Sequence, residues 1–243
     1  MKIKILLGLI FIFAFSSIAF AQTVKITPKK ITYTRPKPSA DFKKTFTINY
    51  PKIKASTPAL SKKIENSISY AKIVSLDIDD EKNGENQWLE EADYDVNYNK
   101  NGILDITLSM SGTAAYPTVM NRTVVVNLKT GSRAMASDVF INLKGLAAMV
   151  KKAQEAEIKE SIEEIKKEED YRDFDPKNFF EYADFTVEDL EQFTISDEGV
   201  TFMYSYGFPR VAMAVEPAGN YAFAWSELKP YIKRGGLLAR IAG

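Results

Sequence analysis

The 243-residue chain contains no cysteine and no histidine. Disulfides, thiolate nucleophiles, Ser-His-Asp and Cys-His catalysis, and zinc or haem sites built on imidazole or thiolate are thereby excluded. No disulfide and no thiolate- or imidazole-bound metal staple is available, so the fold must be held by its core. At this length roughly 70% of the unfolded surface can be buried, which suffices, and 45% hydrophobic against 26% charged side chains is ordinary for a globular protein. What remains is carboxylate, lysine or tyrosine chemistry, or binding alone.

Lys2 and Lys4 precede an apolar run over residues 5–20, and Ala19-Phe20-Ala21 follows with small residues at the two positions a signal peptidase reads. The run is shorter than the roughly 20 residues a spanning helix needs. The expectation is a signal peptide over residues 1–21, cleaved after Ala21, and a periplasmic or secreted product with no stable membrane span. No cysteine follows to take a lipid anchor.

The rest reads as strands broken by two main helices. Residues 24–34 alternate around Pro28, which suits an edge strand, and Arg35-Pro36-Lys37-Pro38 reads as an extended connector. Phe42, Phe46, Ile48 and Tyr50 mark a second strand that Pro51 is expected to end. Leu60, Ile64, Ile68 and Ala71 give a helical stripe with Thr57 as N-cap and Pro58 at its first position. Residues 77–91 are polar and acidic. Tyr94, Val96 and Tyr98, the turn residues Asn99 to Gly102 and Ile103 to Met110 read as a hairpin, and Thr123 to Leu128 as a further strand. A long helix is expected over 143–169, with i,i+4 pairs Glu155/Lys159 and Glu163/Lys167. Phe193 to Tyr206 is a second hairpin, Tyr221 to Trp225 a last strand, and Ser226 caps a short final helix. The predicted class is α+β: antiparallel sheet or sheets with the two main helices packed on one side.

The succession Tyr94-Asp95-Val96, Asn99 to Leu104, Ala115-Tyr116-Pro117, Asn127 to Gly131, Asp138-Val139-Phe140, Gly199 to Phe202 and Trp225 to Lys229 resembles the extracytoplasmic domain of the RsiV family of anti-sigma factors. Ile48 to Ile53 and Ile64 to Ile68 resemble the domain that precedes it there and in PdaC-type peptidoglycan deacetylases. Together these cover about residues 40 to 235. The resemblance implies an N-terminal subdomain over 22–90, a C-terminal domain over 91–243, and an envelope binding module that in RsiV binds lysozyme directly. The chain holds no sigma-binding region and no deacetylase domain, so the implied role is binding without catalysis. Relatives often carry His where Tyr116 stands, and what that His does is not carried over.

Overall charge is balanced at 32 Lys/Arg and 32 Asp/Glu, which gives no field for nucleic acid. Its distribution is uneven. Residues 22–72 hold 12 basic and 2 acidic side chains, residues 73–100 hold 2 and 9, and residues 155–198 hold 5 and 17. The charges either neutralise one another in the fold or leave an acidic surface that steers a basic partner. Residues 170–185 set six aromatics among five carboxylates, the composition of an interface anchor. The candidate partner-binding residues are Tyr171, Asp173, Phe174, Asp175, Glu181, Tyr182 and Tyr116, with Phe179, Phe180 and Phe185 assigned to the core.

Catalytic readings are thin. Asp79 to Gly84 with Glu90 imitates a calcium loop, but Glu81 is too long for the third position and no helix pattern follows; an acidic connection is favoured. Ser226 to Lys229 and Lys129-Thr130-Gly131 spell two elements of penicillin-interacting enzymes in reversed order, without Ser-Asp-Asn. No catalytic residue, metal or cofactor is expected. The preferred partner is a lysozyme-like basic protein. The alternatives are a cell-wall glycan or anionic polymer bound by the lysines between Lys25 and Lys63, and a carboxylate-pair enzyme acting on glycan.

Overall fold

The computed structural model describes residues 23–85, 87–171 and 175–242; the expected signal peptide, Asp173 and Phe174 lie outside them. In chain order the elements are β1 (Lys25–Thr34), β2 (Thr45–Lys54), α1 (Pro58–Ser67), α2 (Tyr70–Ile73), α3 (Ile78–Asn83), β3 (Leu89–Lys100), β4 (Ile103–Thr113), β5 (Pro117–Asn127), β6 (Ser132–Arg133), α4 (Ala136–Val139), α5 (Leu143–Ile165), β7 (Phe193–Ile195), β8 (Gly199–Met203), β9 (Asn220–Ala224) and α6 (Trp225–Leu228). The first six strands form one sheet in sequence order and the last three form a second. All pairs are antiparallel except β2 with β3, which meet in parallel at Thr47 and Ile48 only. The chain is α+β, and the boundary expected at residues 90–91 falls inside β3.

The larger sheet is covered on both faces because β4 and β5 are apolar on both. Leu104, Ile106, Leu108 and Met110 point with Val124 and Val126 to one side, where Ile64 and Ile68 at the end of α1 close the core. Ile103 and Val125 point to the other side and pack with Leu146 and Val150 of α5 and with Phe193, Phe202 and Tyr221 of the small sheet. The two main helices therefore lie on opposite faces of this sheet, not on one side as expected. An alternating strand with only one buried face would carry polar residues at every second position, and the run Ile103-Leu104-Asp105-Ile106 does not.

Several local expectations hold for the physical reasons given. Thr57 accepts the Leu60 N–H at 3.1 Å, with Pro58 next to it. Asn101 and Gly102 take positive φ of 56° and 76°, the two-residue turn that matches strand twist. β1 is an edge strand. Others do not. Pro51 does not end β2; it stands directly across from Pro28, a pair in which neither residue has an N–H to donate, and β3 does not reach this part of β2. Residues 78–83 are helical, capped by Asp77, which accepts the N–H groups of Asp79 and Asp80 at 2.9 and 3.1 Å. In α5, Glu163 pairs with Lys166 at i,i+3, 2.7 Å away, in place of the i,i+4 partners. Trp225, not Ser226, begins α6.

Arg35 is the largest departure from the expected connector. Its side chain is buried, lies 4.6 Å over the Phe46 ring, and gives all five guanidinium N–H groups to protein acceptors. Nε donates to the Glu81 carbonyl, Nη1 to the carbonyls of Lys43 and Thr45, and Nη2 to the Glu81 carboxylate at 2.9 Å and the Leu89 carbonyl at 2.7 Å. Glu81, once a calcium-loop residue by spelling, is thus a buried counter-charge that also accepts the Leu89 N–H. Lys43 beside it donates to the carbonyls of Gln87 and Thr113.

Candidate functional site

A third apolar cluster closes the end of α5. Ile165, Phe180, Phe208 and Ala212 are buried there, with Tyr171, Phe179, Tyr206 and Val215 packed against them. Phe179 stacks on Phe208 at 4.9 Å and Phe180 meets Tyr206 edge-on at 5.3 Å. Phe185 is buried in the main core. Of the three phenylalanines assigned to the core, Phe180 and Phe185 are buried and Phe179 is half-buried against the third cluster.

The segment between β8 and β9 is held by Glu157 of α5. Its carboxylate accepts the Tyr206 and Tyr221 hydroxyls at 2.8 and 2.7 Å and the Gly219 N–H at 3.1 Å. Burial is the first cause that raises both phenol pKa values, with Glu157 adding to it. The two phenols are thereby held protonated and donate to the Glu157 carboxylate.

This segment then reaches in two directions. Arg210 stacks over Tyr116 at 4.8 Å and donates to the Pro117 carbonyl at 2.7 Å and Thr118 Oγ1 at 2.6 Å, which holds the connection between β4 and β5. The next residue, Val211, accepts the Tyr171 hydroxyl through its carbonyl at 2.7 Å. One run of contacts thus joins Tyr116 to the acidic aromatic loop, though the two are far apart in sequence. Along it the Tyr116, Val211 and Met213 side chains are 59%, 84% and 55% exposed, and Tyr182 in the loop is 86% exposed.

The expected anchors divide accordingly. Tyr182 and Tyr116 are presented outward, and Glu181 is exposed beside Tyr182. Tyr171 is half-buried, with its hydroxyl on Val211 and its ring edge-on to Phe179 at 6.2 Å. Asp175 caps the 3-10 turn Pro176–Phe180 by accepting the Lys177 N–H at 3.1 Å. Asp173 and Phe174 lie outside the described residues. Nothing in the sequence marks Arg210 or Val211: an arginine two residues after Phe208 carries no periodic signal, and only the fold sets it against Tyr116.

The charge pattern resolves unevenly. The 73–100 stretch is partly neutralised by the basic N-terminal part through Arg35–Glu81 and Lys30–Glu91. Among the described residues, no ion pair links residues 23–72 to the acidic 155–198 stretch; its pairs are Lys100–Asp197, Lys151–Asp184 and the internal Glu163–Lys166. Among the described residues no group of acidic side chains is placed to hold a metal ion, and no helix is long and apolar enough to cross a membrane. A groove of about 190 Å³ between Ser161, Glu164, Ile165, Glu168, Ala214 and Val215 borders the same surface.

No protein-family profile matches the sequence, and no curated protein does. Two solved structures share the architecture. A DUF3298 family member from Bacteroides fragilis superposes with a TM-score of 0.52 at 14% identity, over 91% of this chain and 99% of its own. A DUF3298 family protein from Pseudomonas aeruginosa superposes with a TM-score of 0.50 at 12% identity, over 87% of this chain and 94% of its own. At such identities the likeness is one of fold, and the chain has a DUF3298-like α+β fold.

Proposed function

We propose that this protein is an exported, non-enzymatic binding module of the cell envelope that recognises a basic protein of the lysozyme type through the surface carrying Tyr182, Tyr116 and Val211. The observation behind this reading is the run of contacts Tyr116–Arg210–Val211–Tyr171, which ties one exposed aromatic to the acidic loop that presents another, Tyr182. It lies beside the acidic stretch, to which no ion pair from residues 23–72 runs among the described residues. Rigid rings offer contact area at low entropic cost, and surrounding carboxylates speed encounter with a cationic partner. The resemblance to the RsiV and PdaC modules supports the same class of role. The groove at this surface is smaller than the roughly 300 Å³ at which ligand pockets begin, which favours a surface over a substrate cleft.

The test is a calorimetric titration of the chain from Gln22 onward against lysozyme, at low and at physiological salt. Binding that survives physiological salt and weakens at least tenfold in Tyr182→Ala and Tyr116→Ala supports the reading. Absence of binding at both salts overturns it.

A further inference from the structure

The β1–β2 ribbon carries a second charged surface, at the outer edge of the large sheet and independent of the site above. The register sets Lys25 directly across from Lys54, Thr27 across from Lys52 and Lys29 across from Tyr50. Strand alternation therefore places Lys25, Lys29, Lys52 and Lys54 on one face of the ribbon, and all four are exposed. Lys52 is paired with Glu65 at 3.0 Å. Among the described residues no carboxylate pairs with Lys25, Lys29 or Lys54.

Like charges directly opposite across two strands destabilise the pair, so the Lys25–Lys54 arrangement costs the fold something. Lysines on an edge strand can serve to block pairing with other chains. The same protection can serve the end of β2 that β3 does not reach, but it asks only for lysines on the strands and not for four of them on one face. The cationic groups recur every two or four residues, about 7 and 14 Å along the strands. Set out along two extended strands, they form a track.

We infer that this ribbon face binds a linear polyanion, and specifically a polymer of alternating polyol and phosphodiester units. A track of separate cations suits a ligand that repeats its charge and releases counterions as it lies along the strands. A single-stranded nucleic acid would also need aromatic faces on which to stack its bases. Of the aromatics that alternation puts on this face, Phe46 is buried under Tyr33, and Tyr33 and Tyr50 are half-buried and hydrogen-bond each other through their hydroxyls at 2.8 Å. A phosphate chain without bases loses nothing by this.

Fluorescence anisotropy with end-labelled poly(glycerol phosphate), repeated over a range of salt, tests the inference. Each phosphate neutralised adds about −0.7 to the slope of log K against log salt for a single chain. The three unpaired lysines give about −2 of slope, and K25Q/K29Q/K54Q is expected to remove it and to weaken binding at least tenfold at low salt. Melting of that variant is expected at or above the parent temperature, because the opposed charges are gone. K29Q alone, whose cross-strand partner is the uncharged Tyr50, is expected to lose about 0.7 of slope and serves if the triple variant does not fold. The control K144Q/K152Q/K233Q removes as much charge elsewhere and is expected to bind like the parent. Unchanged binding by the ribbon variants, or equal weakening by the control, overturns the site. Binding of a single-stranded oligonucleotide of equal charge as tightly as the polyol phosphate overturns the choice of polymer.

Discussion

The Asp105 carboxylate on β4 accepts the main-chain N–H of Ile195 on β7 at 2.8 Å, so that a fully buried acid joins the large sheet to the small one. The same oxygen accepts the Thr194 hydroxyl at 2.5 Å, and the other accepts the Asn97 amide at 3.1 Å. Burial pushes the carboxyl up to about 6, and these three hydrogen bonds, from Thr194, Ile195 and Asn97, hold it from rising further.

This raised value predicts an inverted pH dependence. The folded state holds the Asp105 proton more tightly than the unfolded chain, where the value is 3.8. The associated stability is complete below about pH 4 and is lost as pH rises through 6, by roughly 3 kcal/mol. In Asp105→Asn the amide oxygen still serves Thr194 and Ile195, and the proton linkage disappears. Urea unfolding of both proteins between pH 4 and pH 7 is expected to show the parent losing about 2 to 2.5 kcal/mol relative to the variant. Parallel curves would refute the linkage.

Arg35 and Glu81 predict strong coupling. Arg35→Met leaves the Glu81 carboxylate buried beside apolar neighbours, and a loss of about 3–5 kcal/mol is expected. Arg35→Met with Glu81→Leu removes both charges and is expected to recover part of that loss. A double-mutant cycle by chemical denaturation checks this; additive losses would show that the pair does not act as a unit.

Arg210 predicts an effect on order with little effect on stability. The groups it bonds, the Pro117 carbonyl and Thr118 hydroxyl, are at an exposed strand end. Arg210→Ala is expected to cost less than about 1 kcal/mol while amide exchange near Val119 accelerates. If Tyr116 belongs to the binding surface, partner affinity falls with it.

Gly199 predicts a steric block. A Cβ added there would stand 1.9 Å from the Phe223 carbonyl oxygen across the β8–β9 pair. Gly199→Ala is expected to force the two strands apart and to lower the melting temperature by several degrees, read by circular dichroism. Gly207→Ala, where a Cβ meets open space but φ is +68°, is expected to cost only about 1 kcal/mol of backbone strain.

Local chemistry alone determined a good deal about this protein. The Thr57-Pro58 helix start, the Asn101-Gly102 turn, the long helix from Leu143 and the strand alternations follow from residue conformational preferences and periodicity, which act within a few residues. So does the division of Phe179, Phe180 and Phe185 from the more polar aromatics. Tertiary structure alone decided what lies across from what. Pro51 stays in its strand because Pro28 faces it, and Arg35 is buried because Glu81, forty-six positions on, turns inward from a helix. Both faces of β4 are covered because the small sheet and α5 fold back onto it. Tyr116 meets Arg210, and Asp105 meets Ile195, across about ninety residues. Hydrogen bonds and ring contacts are short-ranged in space but indifferent to sequence separation, and no spacing rule along the chain encodes them.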